Sequence, residues 1–238
     1  MKRLPVIVAE AVVGLCVGLL PSAAQKEVMR NQPYADLKLY HFGFHIGVQS
    51  QDILLYHNGR ATSAGEQWFA EIPAYSPGFS VGVMADFFLN LYVNFRITPT
   101  LHFGERSFTF REQQSGETYQ TVSRSNYVTL PFDFKFSSMR INNYRPYLLA
   151  GVYGALDIGR KKGNAILLRQ MDYGLSFGLG CDFYLPFFKF CPELRFCFGL
   201  PDLLESDRVD LLDRDMAKYA ASLRKATSRM VALTFYFE

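Results

Sequence analysis

The sequence predicts an all-β chain: eight antiparallel strands closed into a membrane-spanning barrel, with one helix in the last long connection. Three observations predict it. Apolar and polar residues alternate with a period of two along most of the chain. Short and long connections between those stretches alternate in turn. The N-terminus also carries the marks of an export signal.

Composition narrows the class. The 238 residues suffice for one barrel domain. The hydrophobic fraction is 49%, yet mean hydropathy is only +0.02, so apolar residues are interleaved with polar ones. A helical membrane protein instead needs apolar blocks of about 20 residues, and the one long apolar block lies at the extreme N-terminus. The 22 Phe and 14 Tyr favour strands. A net charge of +3 is too small to argue for nucleic acid.

Lys2 and Arg3 precede an apolar core from Val6 to Leu20, and Ser22-Ala23-Ala24 offers small residues for cleavage before Gln25. Residues 1–24 therefore read as a signal peptide, 25–36 as a short periplasmic segment and 37–238 as the barrel. Glu10 interrupts the apolar core, and a short buried helix is the alternative reading. Leu15 before Cys16 does not fit a lipoprotein signal, which wants a small residue there. Cleavage would leave Cys181, Cys191 and Cys197, an odd number that argues against a disulfide framework. Cys191 and Cys197 would lie roughly 20 Å apart on one strand, beyond disulfide reach. They read as small apolar packing residues.

In the first strand Tyr40, Phe42, Phe44, Ile46 and Val48 alternate with His41, Gly43, His45, Gly47 and Gln49. The second sets Phe79, Val81, Val83, Ala85 and Phe87 against Ser80, Gly82, Met84 and Asp86. The third, from Val93 to Gly104, keeps Asn94, Arg96, Thr98, Thr100 and His102 on its polar row, and the fourth sets Val128 to Phe136 against Thr129, Asp133, Lys135 and Ser137. The fifth, Pro146 to Asp157, is mixed and leaves its facing open. The sixth is the cleanest: Tyr173, Leu175, Phe177, Leu179, Cys181, Phe183 and Leu185 against Gly174, Ser176, Gly178, Gly180, Asp182 and Tyr184. The seventh sets Phe188, Phe190, Leu194, Phe196 and Phe198 against Lys189, Glu193, Arg195 and Gly199. The eighth sets Val231, Leu233, Phe235 and Phe237 against Met230, Thr234 and Tyr236.

Connections after the second, fourth and sixth strands are short: near Asn90, Ser138 to Tyr144, and Pro186-Phe187. Those after the first, third, fifth and seventh are long: about 50–77, 111–125, 159–170 and 201–227. This asymmetry describes an outer-membrane barrel with short periplasmic turns and both termini on the periplasmic side. A soluble barrel is the alternative, with the apolar row inside. The Gly- and Ser-rich polar rows favour the membrane form, because they suit the crowded interior of a narrow barrel.

Eight charges fall on the proposed inner rows: Asp86, Asp133, Asp182 and Glu193 against Arg96, Lys135, Lys189 and Arg195. A turn at Asn90 to Tyr92 would place Asp86 opposite Arg96, and a turn at Pro186-Phe187 would put Asp182 diagonal to Lys189. Buried charges persist when paired, so the balance predicts a salt-bridged plug. A conducting pore needs more than eight strands.

In the last long connection Leu212, Met216, Tyr219 and Leu223 fall at helical spacing. Acids come early (Glu205, Asp207, Asp210) and bases late (Arg224, Lys225), as the helix dipole favours. This helix reads as a cap over the barrel mouth or a partner-binding element. Arg160, Lys161 and Lys162 form a basic tip suited to lipopolysaccharide phosphates or simply to water. A small structural or adhesive barrel is one alternative function. A lipid-modifying enzyme is another, since His57, Asp52 and Ser63 supply residue types a barrel acyltransferase or hydrolase could use, but nothing sets a nucleophile beside a base, and no nucleophile elbow is present. His41, His45 and His102 read as lumen residues with hydrogen-bond partners. Phosphate-loop, zinc and dinucleotide motifs are absent. No enzyme activity, cofactor or metal is expected; the expected partners are outer-membrane lipid and other proteins.

Three stretches, in order, resemble the PorT family of the type IX secretion and gliding-motility system of Bacteroidota. They are Pro77-Gly78-Phe79-Ser80-Val81-Gly82; Phe95-Arg96-Ile97-Thr98-Pro99-Thr100-Leu101-His102-Phe103-Gly104-Glu105-Arg106; and Leu130-Pro131-Phe132-Asp133-Phe134-Lys135, continuing through Arg140, Asn142, Asn143 and Arg145 to Gly151. The helical insertion near 201–227 and the His residues of the first strand have no match in that family's pattern. The resemblance implies a non-enzymatic outer-membrane component needed to export proteins with a C-terminal sorting domain, acting by contact with other machinery. It also implies that Lys135, Arg140 and Arg145 hold a periplasmic turn or meet a partner there.

Overall fold

The structure, a computed structural model, describes residues 29–57, 68–70, 77–112, 118–124, 126–159, 169–204 and 223–238. Of the unit formed by residues 1–30, only Met29 and Arg30 are described; residues 31–238 form the barrel unit.

The strands are β1 (Tyr40–His57), β2 (Trp68–Ala70), β3 (Pro77–Phe88), β4 (Val93–Ile97), β5 (Thr100–Phe103), β6 (Glu105–Glu112), β7 (Thr118–Arg124), β8 (Tyr127–Ser137), β9 (Tyr144–Asp157), β10 (Met171–Tyr184), β11 (Lys189–Gly199) and β12 (Leu223–Phe237). A 3₁₀ turn, Ala35–Leu37, precedes them. One antiparallel sheet runs β1-β12-β11-β10-β9-β8-β4-β3, with β5 continuing the stave that β4 begins. Because β1 pairs with β12 on one side and β3 on the other, the sheet closes on itself as eight staves. Closure removes the unpaired edges that an open sheet would expose to hydrocarbon.

The third stave, expected to be continuous, breaks at Thr98-Pro99. Pro99 has no backbone N–H to give a ladder, but its carbonyl still accepts from the Val83 N–H at 3.2 Å, so the stave stays tied to β3. Facing follows the period of two. Phe42, Phe44, Val83, Phe134, Phe177 and Leu179 are exposed, while His45, Ser80, Arg96, Asp133, Ser176 and Asp182 are buried. The outer wall is a belt of aliphatic and aromatic side chains far larger than a water-soluble surface tolerates. Its rings meet across strands, as in the stacked Phe44–Phe237 pair at 5.1 Å on the closing seam and Phe79–Phe103 at 4.8 Å. β9 resolves the facing left open by its mixed sequence: Arg145, Tyr147, Leu149, Tyr153 and Ala155 turn inward, and Leu148, Val152 and Leu156 outward.

Several long connections are shorter than the sequence suggested, because strand pairing continues into them. β1 runs on to His57, and the stretch expected as a 111–125 loop is largely the β6–β7 hairpin, joined by β2 in a second sheet. The expected helix is corrected in part. Leu212, Met216 and Tyr219 lie outside the described residues, as do Arg160, Lys161 and Lys162. Leu223, however, opens β12 opposite His57, and Arg224 and Lys225 follow it in strand. Backbone groups there are satisfied by β1 and not by a helical turn. Among the described residues the helical structure is the single 3₁₀ turn.

Candidate functional site

The lumen carries the densest chemistry in the molecule, and its composition follows from the narrow bore. Large polar side chains fit where the facing position is glycine. A Cβ on Gly180 would sit 2.5 Å from the Tyr147 ring, and one on Gly82 2.5 Å from His45. These two close approaches explain glycine on the inner rows of β3 and β10.

Arg96, on β4, lies at the centre with no exposed surface. The register sets it opposite Asp86 of β3. Its Nε and Nη2 donate to Asp86 Oδ2 at 3.0 and 2.8 Å, and Nη1 reaches Glu193 Oε2 of β11 at 3.3 Å. Asn94 donates to the second Asp86 oxygen at 2.7 Å. Glu193 also accepts from the Tyr147 hydroxyl at 3.0 Å and the Tyr236 hydroxyl at 3.3 Å, and it ion-pairs with Arg195 at 2.9 Å. Arg195 in turn pairs with Asp133 of β8 at 2.8 Å, whose other oxygen accepts from Ser176. Lys135 pairs with Asp182 of β10 at 2.6 Å and lies 4.2 Å from the Tyr147 ring centroid. Guanidinium and ammonium groups thus receive both carboxylates and aromatic faces, the environment that makes a buried cation tolerable.

The turn at Pro186-Phe187 sets Lys189 diagonal to Asp182, as expected. The Lys189 Nζ donates to Glu238 at 2.6 Å, and Asp182 takes Lys135. Glu238 also meets His41, and its backbone exchanges hydrogen bonds with Lys189. Tyr147, Tyr236, Asn94, Ser176 and Glu238 belong to the network beyond the eight predicted charges. Tyr236, Asn94 and Ser176 were legible as inner-row residues; Tyr147 was hidden by the mixed pattern of β9.

Toward the long-connection end imidazoles, hydroxyls and two buried acids, Asp157 and Asp172, replace the ion-paired cluster, and Asp172 accepts a hydrogen bond from Ser228. His45 meets Thr100 at 3.1 Å, and His102 bridges Gln49 and Thr129. Two voids remain there, of about 20 and about 30 Å³, room for a water or two. Cys191 and Cys197 are buried free thiols packed in the lumen.

A strap, residues 31–38, packs against the short-turn end. Part of the stretch expected as a separate segment, 25–36, therefore packs with the barrel. Asp36 accepts a hydrogen bond from Tyr184 and pairs with Arg145 at 3.2 Å and Arg140 at 3.8 Å. Arg140 donates to the carbonyls of Asn31 and Gln32 and covers the Tyr184 ring at 3.6 Å. Arg145 also ties the Ser138 and Leu91 carbonyls. The two arginines marked as turn holders or partner contacts are thus spent on the chain's own strap and turns.

Two of the three residues weighed for catalysis lie among the described residues. Asp52 and His57 lie in β1, not in a loop, and Ser63 lies outside the described residues. Asp52 is paired with Arg229 at 2.8 Å.

A closed barrel with an apolar wall and a salt-bridged interior defines an integral membrane protein that crosses by strands. Residues 23–205 match the family model described as "Outer membrane protein beta-barrel domain", and the chain belongs to that family as an outer-membrane protein. Among solved structures it is similar to Neisserial surface protein A (TM-score 0.41, 11% identity, covering 84% of this chain and 98% of that one). It is also similar to the N-terminal β-barrel domain of Pseudomonas aeruginosa OprF (0.33, 14%, 81% and 96%) and to Ail, the attachment invasion locus protein of Yersinia pestis (0.35, 9%, 82% and 96%). No curated protein sequence matches the chain.

Proposed function

We propose that this outer-membrane barrel is an accessory component of a type IX protein secretion machine, required for export of sorting-domain proteins and acting by contact, not as the conduit. The observation that carries the contact mechanism is the plugged lumen: Arg96, Glu193, Arg195 and Asp133 join β4, β8 and β11 across the bore. A bore whose voids hold a water or two passes no polypeptide. The assignment to that machine rests on the three PorT-like stretches. These supply Asp133 and Lys135 of the plug and Arg140 and Arg145, which hold the strap. The short-turn end, where that strap is displayed, is the periplasmic face in this reading.

Deleting the gene tests it. Sorting-domain proteins should accumulate inside the cell envelope, and complementation should restore them to the medium. Normal secretion from the deletion strain removes the proposal. A second reading, a surface-ligand barrel, is favoured by the β2–β6–β7 sheet at the long-connection end. Capture of secretion components by the detergent-solubilised protein supports the first, and capture of surface ligands the second.

A further inference from the structure

A groove of about 280 Å³ lies on the outer wall, where β11, β12 and β1 meet near their long-connection ends. Phe196, Phe198 and Val231 form its apolar part, and Ser50, Asp52 and Arg229 its polar part. It straddles the edge of the belt. Going up the outward row of β12, Phe237, Phe235, Leu233 and Val231 are followed by Arg229, the buried Thr227 and then Lys225; on β1, Val48 gives way to Ser50 and Asp52. A charge at that margin costs little, whereas the same charge mid-wall costs about 2–4 kcal/mol.

Arg229 is not used up by Asp52. Its Nη2 donates to Asp52 Oδ2 at 2.8 Å, yet its side chain remains 43% exposed while Asp52 is 13% exposed. The carboxylate holds the guanidinium at the rim, where a five-donor fork is suited to a phosphate. Lys225, exposed on the same row, adds a second positive charge further out.

We propose that this groove is a binding site for one anionic, phosphate-bearing lipid of the surrounding membrane. Its acyl chain lies over Phe196, Phe198 and Val231, and its phosphate takes Arg229. The occupant is a lipid and not a free anion, because most of the lining is apolar and opens on the lipid-facing wall. This inference needs only the outer-membrane location and stands apart from any role in secretion.

The test is native mass spectrometry of the full mature barrel in detergent, titrated with phosphatidylglycerol and separately with zwitterionic phosphatidylcholine. Phosphatidylglycerol should be retained preferentially, inorganic phosphate should not displace it, and Arg229→Gln should weaken retention about tenfold, the loss of one charge-assisted contact. Equal retention of both lipids, displacement by inorganic phosphate, or undiminished retention by Arg229→Gln would each overturn the site. Heat-modifiable migration checks that the variant folds. Should it not, photoactivatable phosphatidylglycerol on the wild-type barrel decides: labelling concentrated on residues 196–198 and 229–231 supports the site, and labelling spread evenly around the belt refutes it.

Discussion

At the scale of single residues, Arg96 shows what a buried charge does in a barrel wall only one strand thick. Asp86 and Glu193 face it from opposite sides of the bore, and all three are sealed from water. Replacing Arg96 with Met removes the cation and leaves Asp86 buried without that guanidinium, while Glu193 keeps Arg195. The expected cost is about 3–5 kcal/mol, read from the urea dependence of heat-modifiable migration; a loss below about 1 kcal/mol would contradict this account of the plug. Adding Asp86→Asn and Glu193→Gln to that variant should recover part of the loss. Two glycines of β9 provide a sharper contrast. A Cβ on Gly151 would meet the Phe132 carbonyl at 2.2 Å and Asp133 Oδ1 at 2.4 Å, whereas one on Gly154 meets nothing within 4 Å. Gly151→Ala is expected to destabilise by about 1–3 kcal/mol, and Gly154→Ala to stay within about 0.5 kcal/mol. Equal effects in the same unfolding assay would refute the assigned facing of β9.

At the scale of elements, the strap at residues 31–38 is held mainly through side chains, and the barrel does not depend on it for its sheet. Asp36 receives Arg140, Arg145 and Tyr184, and the half-covered 3₁₀ turn contributes little apolar burial besides Ala35. Local opening is governed by such contacts. Asp36→Ala should therefore loosen the strap by about 1–2 kcal/mol and speed tryptic cleavage after Lys38 about tenfold, with barrel migration on a gel unchanged. Unaltered cleavage would show that the strap is held by the contacts of Asn31 and Gln32 with Arg140, Asn143, Tyr184 and Leu185. The β11–β12 pair illustrates the complementary case, in which main-chain ladders carry the element and aromatic rings such as Phe190 and Phe235, 5.9 Å apart, brace its lipid side.

For the whole molecule, a closed wall and a filled bore predict an impermeable barrel. Reconstituted into planar bilayers, the protein should give no steady conductance steps, and proteoliposomes should not swell in small sugars. Discrete openings of a reproducible size would show that the plug moves aside. The two voids of about 20 and about 30 Å³ set that expectation, since neither is a path.

The alternation of Phe, Leu and Val with Gly, Ser and charge was enough to establish a β-barrel, its number of staves and the inward facing of all eight predicted charges. A period of two leaves a side chain only two directions to point, and neither water nor lipid accepts the wrong row. The position of the short turns was legible too, and with it the Asp86–Arg96 opposition. What the tertiary structure alone decided is who pairs with whom across the bore. Arg96 reached Glu193, Asp182 took Lys135 from beyond the neighbouring strand, and Tyr147 entered from a strand whose pattern was mixed. Period and register specify neighbours along the wall, but contacts across a lumen depend on strand tilt, on where glycine leaves room and on how the sheet closes. Those are properties of the closed cylinder, which no local stretch of sequence contains.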